Sequence, residues 1–188
     1  MRNGARTKAL ITTTALQLFV RQGIKETTIK DIAREAKVAE GTLYRHYASK
    51  DDLAWDLFST HFMSFALELD RLQQGAPTAK AKLAAIIRHF CTFFDRDRTL
   101  FSYLLLAQHA QLAKVTADMP SPVEVFRKVV AGAMARKEIP KGDPDVATAM
   151  AMGVILQVAL ARVYGRITSP LTKLIDPLTT AVWRVLRP

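Results

Sequence analysis

The amino-acid sequence predicts an all-α protein, and two observations carry that prediction. None of the 188 residues falls in a sustained alternation of apolar and polar side chains, the pattern of a half-buried strand. Apolar residues instead recur at helical spacing, and glycine, proline and capping residues separate the successive segments. The breaks predict about nine helices, of which the second and third are short.

The first helix is predicted from about Arg6 to Gln22, and Gly23 ends it. Its apolar face carries residues three and four positions apart, namely Ile11, Ala15, Leu18 and Phe19. This face is expected to pack on the next two helices.

A capping box predicts the start of the second helix. Thr28 supplies the N-cap hydroxyl, and Asp31 stands three residues later. The apolar face of this helix comprises Ile29, Ile32, Ala33 and Ala36. Lys37 and Val38 form a turn, after which a third helix is predicted from about Ala39 to Tyr47.

The third helix carries many hydrogen-bonding side chains. Its outward face comprises Glu40, Gly41, Thr42, Tyr44, Arg45 and His46. Leu43 is expected to face inward, and Tyr47 is open to either an inward position or the outer surface. A short helix whose exposed side chains end in hydrogen-bonding groups, with no run of acids, fits the major groove of DNA. This segment therefore predicts a DNA-binding helix-turn-helix.

These residues resemble the DNA-binding domain of the TetR (tetracycline-repressor) family of bacterial transcriptional regulators, over about the first fifty-five positions. The matching positions are Phe19, Gly23, Thr28, Ile32, Ala33, Gly41, Thr42, Leu43, Tyr44, His46, Tyr47, Ser49 and Lys50. Two positions depart from the family pattern. Lys37 stands where glycine is frequent, so the turn is expected to be slightly strained. Ala39 cannot cap the third helix as serine would.

The resemblance implies that Tyr44, His46 and Lys50 contact the phosphate backbone. A phenol, an imidazole N–H and an ammonium are all hydrogen-bond donors, which is what phosphate oxygens require. Thr28 and Thr42 can donate their hydroxyls to phosphates as well. The alternative for each is a solvated position on the helix surface, and for His46 a packed imidazole in the core.

Other residues of the same segment are candidates for approaching the bases. Gly41 lets the helix backbone come close to the groove. Glu40 can accept a hydrogen bond from cytosine, and Arg45 can donate two to guanine. Lys30 could reach a guanine or a phosphate, and Tyr47 completes the set predicted to bind DNA.

Charge agrees with a nucleic-acid partner. The chain has 27 Lys and Arg against 17 Asp and Glu, a net charge of +10. Residues 1–50 hold ten basic and four acidic residues, net +6, whereas residues 51–188 hold seventeen and thirteen, net +4. A basic N-terminal quarter is the electrostatic signature of a phosphate-binding module, although charge alone would equally fit a solvated surface.

The remaining helices are delimited by glycine and proline. They are predicted over 50–74, 78–95 and 99–114, from Pro122 to before Pro140, from Pro144 or Asp145 to Tyr164, and from near Pro170 to Arg187. Pro177 is expected to kink or split the last of them. The predicted organisation is a helix-turn-helix DNA-binding domain over 1–50 and a helical ligand-binding and dimerisation domain over 51–188.

Cellular location is inferred from what the chain lacks. Cys91 is the single cysteine, so neither a disulfide framework nor a cysteine metal set is expected. No signal-peptide pattern is apparent, and we expect a cytoplasmic protein with no cofactor and no metal. Residues 146–161 carry no charge, but sixteen residues fall short of the ~20 that a bilayer requires. No membrane partner is therefore predicted.

The last two helices are apolar on more than one side, which predicts that each packs against more than one neighbouring helix. By the resemblance, they pair with their copies in a second subunit to form a homodimer. Such a dimer would place two reading helices about one DNA turn apart, matching a palindromic operator. The alternative is that both helices simply form the core of a monomer.

The resemblance also implies a small-molecule inducer bound among the later helices. Residues that could line its pocket are Phe90, Phe94, Tyr103, Gln108, His109, Phe126, Met134, Met150 and Gln157. Aromatic, methionine and isolated polar groups with few acids suit a lipophilic ligand. Each residue could equally be plain core. The apolar neighbours of Cys91 are expected to raise its pKa and keep it inert.

Together with the resemblance, the sequence predicts a ligand-responsive transcriptional regulator, and the resemblance implies a repressor more readily than an activator. A non-specific architectural DNA-binding protein is the first alternative, although it would not need the large apolar C-terminal half. An enzyme acting on a hydrophobic small molecule is the second. Against an enzyme, the four histidines lack metalloprotease spacing and no glycine-rich phosphate loop or serine elbow is present.

Overall fold

The computed structural model describes residues 2–187, including all side chains in that range except those of Arg2, Asn3 and His109. Within the described part, every regular element is a helix, which confirms the all-α prediction. The helices are α1 (Arg2–Gln22), α2 (Ile29–Glu35), α3 (Glu40–Tyr44), α4 (Lys50–Gln74), α5 (Ala79–Arg96), α6 (Arg98–Gln111), α7 (Pro122–Ala135), α8 (Pro144–Val163) and α9 (Ile175–Leu186).

Several helix bounds differ from the predicted ones. Helix α1 begins four residues earlier than Arg6, and α3 ends at Tyr44 rather than Tyr47. The predicted sixth helix is divided, because a 3-10 turn over Leu112–Lys114 follows α6. Helix ends tighten in this way when their last carbonyl groups lack partners, which periodicity cannot reveal.

The last predicted helix is also divided, but ahead of Pro177. A 3-10 turn over Leu171–Leu174 leads directly into α9, and Pro177 lies in the first turn of that helix. Proline is tolerated in a first helical turn because the N–H that it lacks would have no intrahelical acceptor there. Pro177 therefore sits within α9 without interrupting it.

The chain forms two compact units. The N-terminal unit comprises residues up to His61 together with Thr99–Thr116, so most of α6 belongs with the helix-turn-helix. Its core is made by fully buried side chains of α1 to α4, among them Ile11, Leu18, Ile32, Leu43 and Phe58. The predicted boundary at residue 50 is a division by function, which the packing does not test.

Helix α6 is fixed in the N-terminal unit by Tyr103. Its hydroxyl donates a 2.6 Å hydrogen bond to the backbone carbonyl of Ala54, and its ring stacks on Phe19 with the centroids 6.0 Å apart. Burial raises the pKa of this phenol. Sequence reasoning placed Tyr103 in a ligand pocket, whereas the structure gives it a buried position with its hydroxyl hydrogen engaged.

The C-terminal unit comprises Phe62–Arg98 and the residues from Ala117 onward. Helix α9 packs on α5 and α8 through one buried stripe, Ile175, Leu178, Val182 and Leu186. The carboxylate of Asp95 joins α5 to the turn before α9, because it accepts hydrogen bonds from the backbone N–H groups of Leu171 and Thr172 and from the Thr172 hydroxyl.

Helix α8 is long and apolar but incompletely covered. It spans 20 residues, four more than its charge-free run, so by length and composition it could cross a membrane. The prediction that it is too short was therefore wrong. Only 22% of its most apolar 18-residue stretch is buried within the chain. Thr148, Ala151, Ile155 and Ala159 form its buried face, and the opposite face is open.

Candidate nucleic-acid interface

The capping box predicted for α2 is present. The hydroxyl of Thr28 accepts a 3.1 Å hydrogen bond from the backbone N–H of Asp31, whose carboxylate accepts from the Thr28 backbone N–H at 3.0 Å and from its hydroxyl at 2.6 Å. The two hydrogen bonds from Thr28 are the main reason that the pKa of Asp31 lies below its usual value. The Thr28 hydroxyl hydrogen is thus already engaged and must leave Asp31 to bind a phosphate.

The turn between α2 and α3 has the strain that the sequence predicts. Lys37 has a φ of +54°, in the left-handed region that favours glycine. The N–H of Val38 bonds to the Ala33 carbonyl at 3.0 Å, which closes the end of α2. Ala39 makes no side-chain cap, also as predicted. One more non-glycine residue, Lys137, has the same conformation, with a φ of +59° after α7.

We expect Lys37→Gly to stabilise the protein, because glycine adopts a positive φ without a Cβ clash. The expected gain is about 0.5–1 kcal/mol, which raises the thermal midpoint by a few degrees. Lys37→Ala removes the same charge but keeps the Cβ, so its midpoint should stay at or below that of the parent chain. Equal midpoints for the two variants in a thermal melt would contradict the strain assignment. Lys137→Gly provides the same comparison in the C-terminal unit.

Helix α3 exposes most of the residues predicted to contact DNA. Tyr44 is 55% exposed, and Glu40, Gly41 and Arg45 are exposed beside it. Leu43, on the opposite side, is fully buried. A single buried leucine therefore anchors a five-residue helix on which Glu40, Gly41 and Tyr44 are exposed to solvent.

Two of the predicted cations are held by neighbours. The guanidinium of Arg45 donates a 3.2 Å hydrogen bond to the hydroxyl of Thr42, one turn earlier on α3. The ammonium of Lys50 donates to the backbone carbonyl of Lys25 at 3.1 Å, in the loop between α1 and α2. Each group keeps further N–H donors, so both are positioned and still able to bind an anion.

The remaining predicted residues lie on the same segment or on α2. His46 is half-buried, which leaves open both the phosphate contact and the packed alternative. Lys30 is exposed on α2. Helix α4 begins with a second capping arrangement, in which the Ser49 hydroxyl accepts from the backbone N–H of Asp52 at 3.0 Å.

Tyr47 is the exception among the predicted DNA contacts. Its side chain is 6% exposed, and its hydroxyl donates a 2.6 Å hydrogen bond to the carboxylate of Asp56 on α4. The prediction that Tyr47 contacts DNA is therefore wrong for this conformation, and the inward alternative is correct. Tyr47 lies four residues after the buried Leu43, so helical spacing alone already favoured the core.

Sequence reasoning missed the two residues that surround Tyr47. The ammonium of Lys8 on α1 lies 3.2 Å from the Asp56 carboxylate and 5.3 Å from the centre of the Tyr47 ring. Burial raises the pKa of Asp56, but the hydrogen bond from Tyr47 and the contacts with Lys8 and His61 outweigh it, so the pKa is lowered. Burial, then the bond to Asp56, raises the pKa of Tyr47. No motif links Lys8, Tyr47 and Asp56 along the chain.

The predicted ligand-binding residues do not share one environment. Phe90, Phe94 and Phe126 are buried in the C-terminal unit. Tyr103 and Gln108 belong to the N-terminal unit. The side chain of His109 lies outside the described part of the structure.

The predicted ligand-binding residues of α7 and α8 lie nearer the surface. Met150 is 58% exposed and Gln157 is also exposed, so neither lines an interior cavity of the chain in this conformation. Met134 borders an open groove of about 790 Å³ between the end of α7, the start of α8 and Arg187. Burial raises the pKa of Cys91 to about 12, so its thiol stays protonated, as predicted.

Comparison with known proteins connects the helix-turn-helix to a family. Residues 11–56 match the family described as bacterial regulatory proteins, tetR family. Over 127 residues the chain is 32% identical to MftR of Mycobacterium tuberculosis, named as a candidate mycofactocin biosynthesis transcriptional regulator, and the match covers 68% of this chain and 63% of that protein. It is 29% identical over 96 residues to the fatty acid metabolism regulator protein of Bacillus subtilis, covering 50% of each chain. The chain thus spans less than two thirds of either relative.

Solved structures share the fold over almost the whole chain. The fatty acid degradation regulator FadR of Bacillus halodurans superposes with a TM-score of 0.81 at 19% identity, covering 93% of both chains. FadR of Bacillus subtilis in complex with stearoyl-CoA gives a TM-score of 0.76 at 20% identity, covering 93% of this chain and 96% of that one. At this identity, the likeness concerns the fold.

Proposed function

Because the chain belongs to the TetR family of bacterial regulatory proteins, we propose that it is a transcriptional regulator, most simply a repressor. In this proposal it binds a palindromic DNA operator as a homodimer in the cytoplasm. A small lipophilic molecule releases it by favouring a form with lower affinity for DNA, and that ligand must in turn bind more weakly to the DNA-bound form.

The observation that carries the proposal is the exposed face of α3. Tyr44 ends a helix that is anchored by Leu43 and preceded by a well-capped α2, and the exposed Arg45 follows it directly. Two short helices packed together, with hydrogen-bonding side chains exposed on the second, are the arrangement that reads a major groove. The core position of Tyr47 supports the proposal as well, because it fixes the segment directly after α3 to the core on the side opposite the exposed face.

Electrostatics supports the same partner. The exposed cations of the N-terminal segment include Lys30, Arg34, Lys37 and Arg45, and the half-buried Lys50 lies close by in the sequence. Each cation that neutralises a phosphate releases a counterion, so affinity should fall steeply as salt rises. Glu40, an acid at the start of α3, would accept a hydrogen bond from cytosine. It would therefore weaken binding to DNA sequences that lack a cytosine at that position.

Selection of DNA from a random duplex pool, followed by gel shifts at two salt concentrations, tests the proposal. We expect enrichment of a palindromic sequence and binding that weakens with salt but remains far tighter than to random duplex. Equal shifts of selected and random duplex would favour the architectural alternative. The absence of any shift at low salt would overturn DNA binding altogether and leave an enzyme as the remaining candidate.

The open face of α8 supports the homodimer. Val146 and Met150 are 55% and 58% exposed, and Ala149, Gly153 and Gln157 continue the same exposed stripe along the helix. An apolar stripe of this length is costly to leave in water, and a second copy of the same helix would cover it symmetrically.

For the released state, we propose a long-chain acyl compound as the ligand class. Buried aromatic rings in the C-terminal unit, including Phe90, Phe94 and Phe126, provide an apolar environment. A curated relative regulates fatty acid metabolism, and a structural neighbour was solved with stearoyl-CoA. Stearoyl-CoA should raise the thermal midpoint and release the selected duplex, whereas free coenzyme A should do neither. If stearoyl-CoA, like free coenzyme A, leaves the duplex bound, this ligand class is wrong.

A further inference from the structure

We infer that Lys8, Tyr47 and Asp56 form a positioning cluster that sets the orientation of the DNA-reading helix. None of the three is assigned a contact with DNA here, and the inference rests on the proposed function. The cluster joins α1, the residues just after α3, and α4 through one hydrogen bond, one ion pair and one cation–ring contact.

Tyr47 is rigidly connected to the reading helix. Its backbone N–H bonds to the carbonyl of Leu43 at 2.9 Å, which continues the helical path beyond the end of α3 at Tyr44. Its ring is buried, and it stands only three residues after Tyr44. A change in where the Tyr47 side chain is held therefore moves the exposed face of α3 directly.

Asp56 fixes the outer end of that side chain. Its carboxylate accepts the Tyr47 hydroxyl at 2.6 Å from the second turn of α4. Hydrogen bonds to an ionised acceptor are shorter and stronger than neutral ones. The ring of Tyr47 thus acts as a spacer of fixed length between the end of α3 and α4. The hydrogen bond at its outer end is directional, whereas apolar packing alone is not.

Lys8 adds the third helix to the cluster. Its ammonium contacts the Asp56 carboxylate and lies over the face of the Tyr47 ring at the same time. The Lys8 and Asp56 side chains are 48% and 39% exposed, so the ion pair alone contributes little to stability. Its consequence is geometric, because one ammonium contacts two partners, one on α4 and one in the segment that follows α3.

The low pKa of Asp56 agrees with this arrangement. The carboxylate remains ionised at neutral pH despite partial burial, because Tyr47, Lys8 and His61 all favour its charged form. The cluster is therefore intact under the conditions in which a regulator binds DNA.

Tyr47→Phe tests the inference with the smallest possible change. The ring still fills its buried site, but the link to Asp56 is lost. Using the duplex selected by the parent protein, we expect affinity to fall about 5- to 10-fold while affinity for random duplex changes little, because apparent affinity is reduced by the fraction of dimers that hold both reading helices in the binding orientation. A misoriented reading helix loses base contacts first, so the selectivity ratio is the decisive readout.

Tyr103→Phe is the matched control. It also removes a buried tyrosine hydroxyl from the N-terminal unit, but that hydroxyl donates to the Ala54 carbonyl on α4 and not to a residue of the reading segment. Both variants should melt lower than the parent. Only Tyr47→Phe should lose selectivity, and equal selectivity losses in the two would show a general effect of destabilisation and overturn the inference.

Asp56→Ala completes a double-mutant cycle with Tyr47→Phe, and Asp56→Asn is the conservative variant at the same position. Because the amide oxygen can still accept the Tyr47 hydroxyl, Asp56→Asn alone should lose less selectivity than Asp56→Ala. The losses from Tyr47→Phe and Asp56→Ala should not add, since both break the same bond. Parent-like selectivity for Tyr47→Phe, or full additivity, would overturn the cluster. Failure of the parent to select any duplex would instead overturn the proposed function.

Discussion

Tyr44→Ala is expected to lower affinity for the selected duplex about 30-fold without lowering the thermal midpoint. A net hydrogen bond is worth about 1 kcal/mol, and a dimer loses one such bond to phosphate at each half-site, so about 2 kcal/mol is lost in all. The side chain is 55% exposed, so its removal leaves no cavity in the core. Fluorescence anisotropy with the labelled duplex measures the loss.

Leu67→Ala is the control for that variant, because Leu67 is a comparably exposed large side chain, 60% accessible, on α4 rather than on α3. It should bind the duplex as the parent does. The phosphate assignment predicts that Tyr44→Ala weakens binding to selected and random duplex by similar factors, since phosphates are common to both. Loss confined to the selected duplex would reassign Tyr44 to base reading.

Most of the fold follows from local chemistry in the sequence. The cap at Thr28 and the strained turn at Lys37 each rest on residues within five positions of one another, and both are present as predicted. Prediction weakened where distant parts of the chain decide the outcome. Grouping of α6 with the N-terminal helices depends on contacts such as Tyr103 to Ala54, 49 residues apart.

The candidate site shows the same limit. Exposure of Tyr44 and burial of Leu43 follow from helical spacing. The hydrogen bond from Tyr47 to Asp56 and the contact with Lys8 do not, because these partners come from two other helices. The ligand residues were chosen for chemical type alone, without a spacing that would bring them together. Type alone cannot separate core rings such as Phe94 from an exposed side chain such as Met150.

Met150→Arg is expected to have the largest effect of all, because it places a charge at the centre of the proposed dimer contact. Each subunit contributes one unpaired guanidinium to an apolar interface, and uncompensated buried charge costs several kcal/mol. We expect the dimer dissociation constant to rise roughly a hundredfold or more. Sedimentation should report a species of 20.9 kDa at concentrations where the parent has twice that mass.

DNA affinity of this variant tests whether the dimer is the DNA-binding form. A monomer engages one half-site, so the variant that sediments as a monomer should also bind the operator more weakly. No ligand is needed to see this effect. Leu67→Arg is the control, because Leu67 is 60% exposed on α4 and its replacement adds the same charge away from α8. If Met150→Arg stays dimeric and binds the duplex normally, the exposed stripe of α8 is not the subunit contact. If Leu67→Arg dissociates as well, added positive charge rather than the α8 surface explains the result.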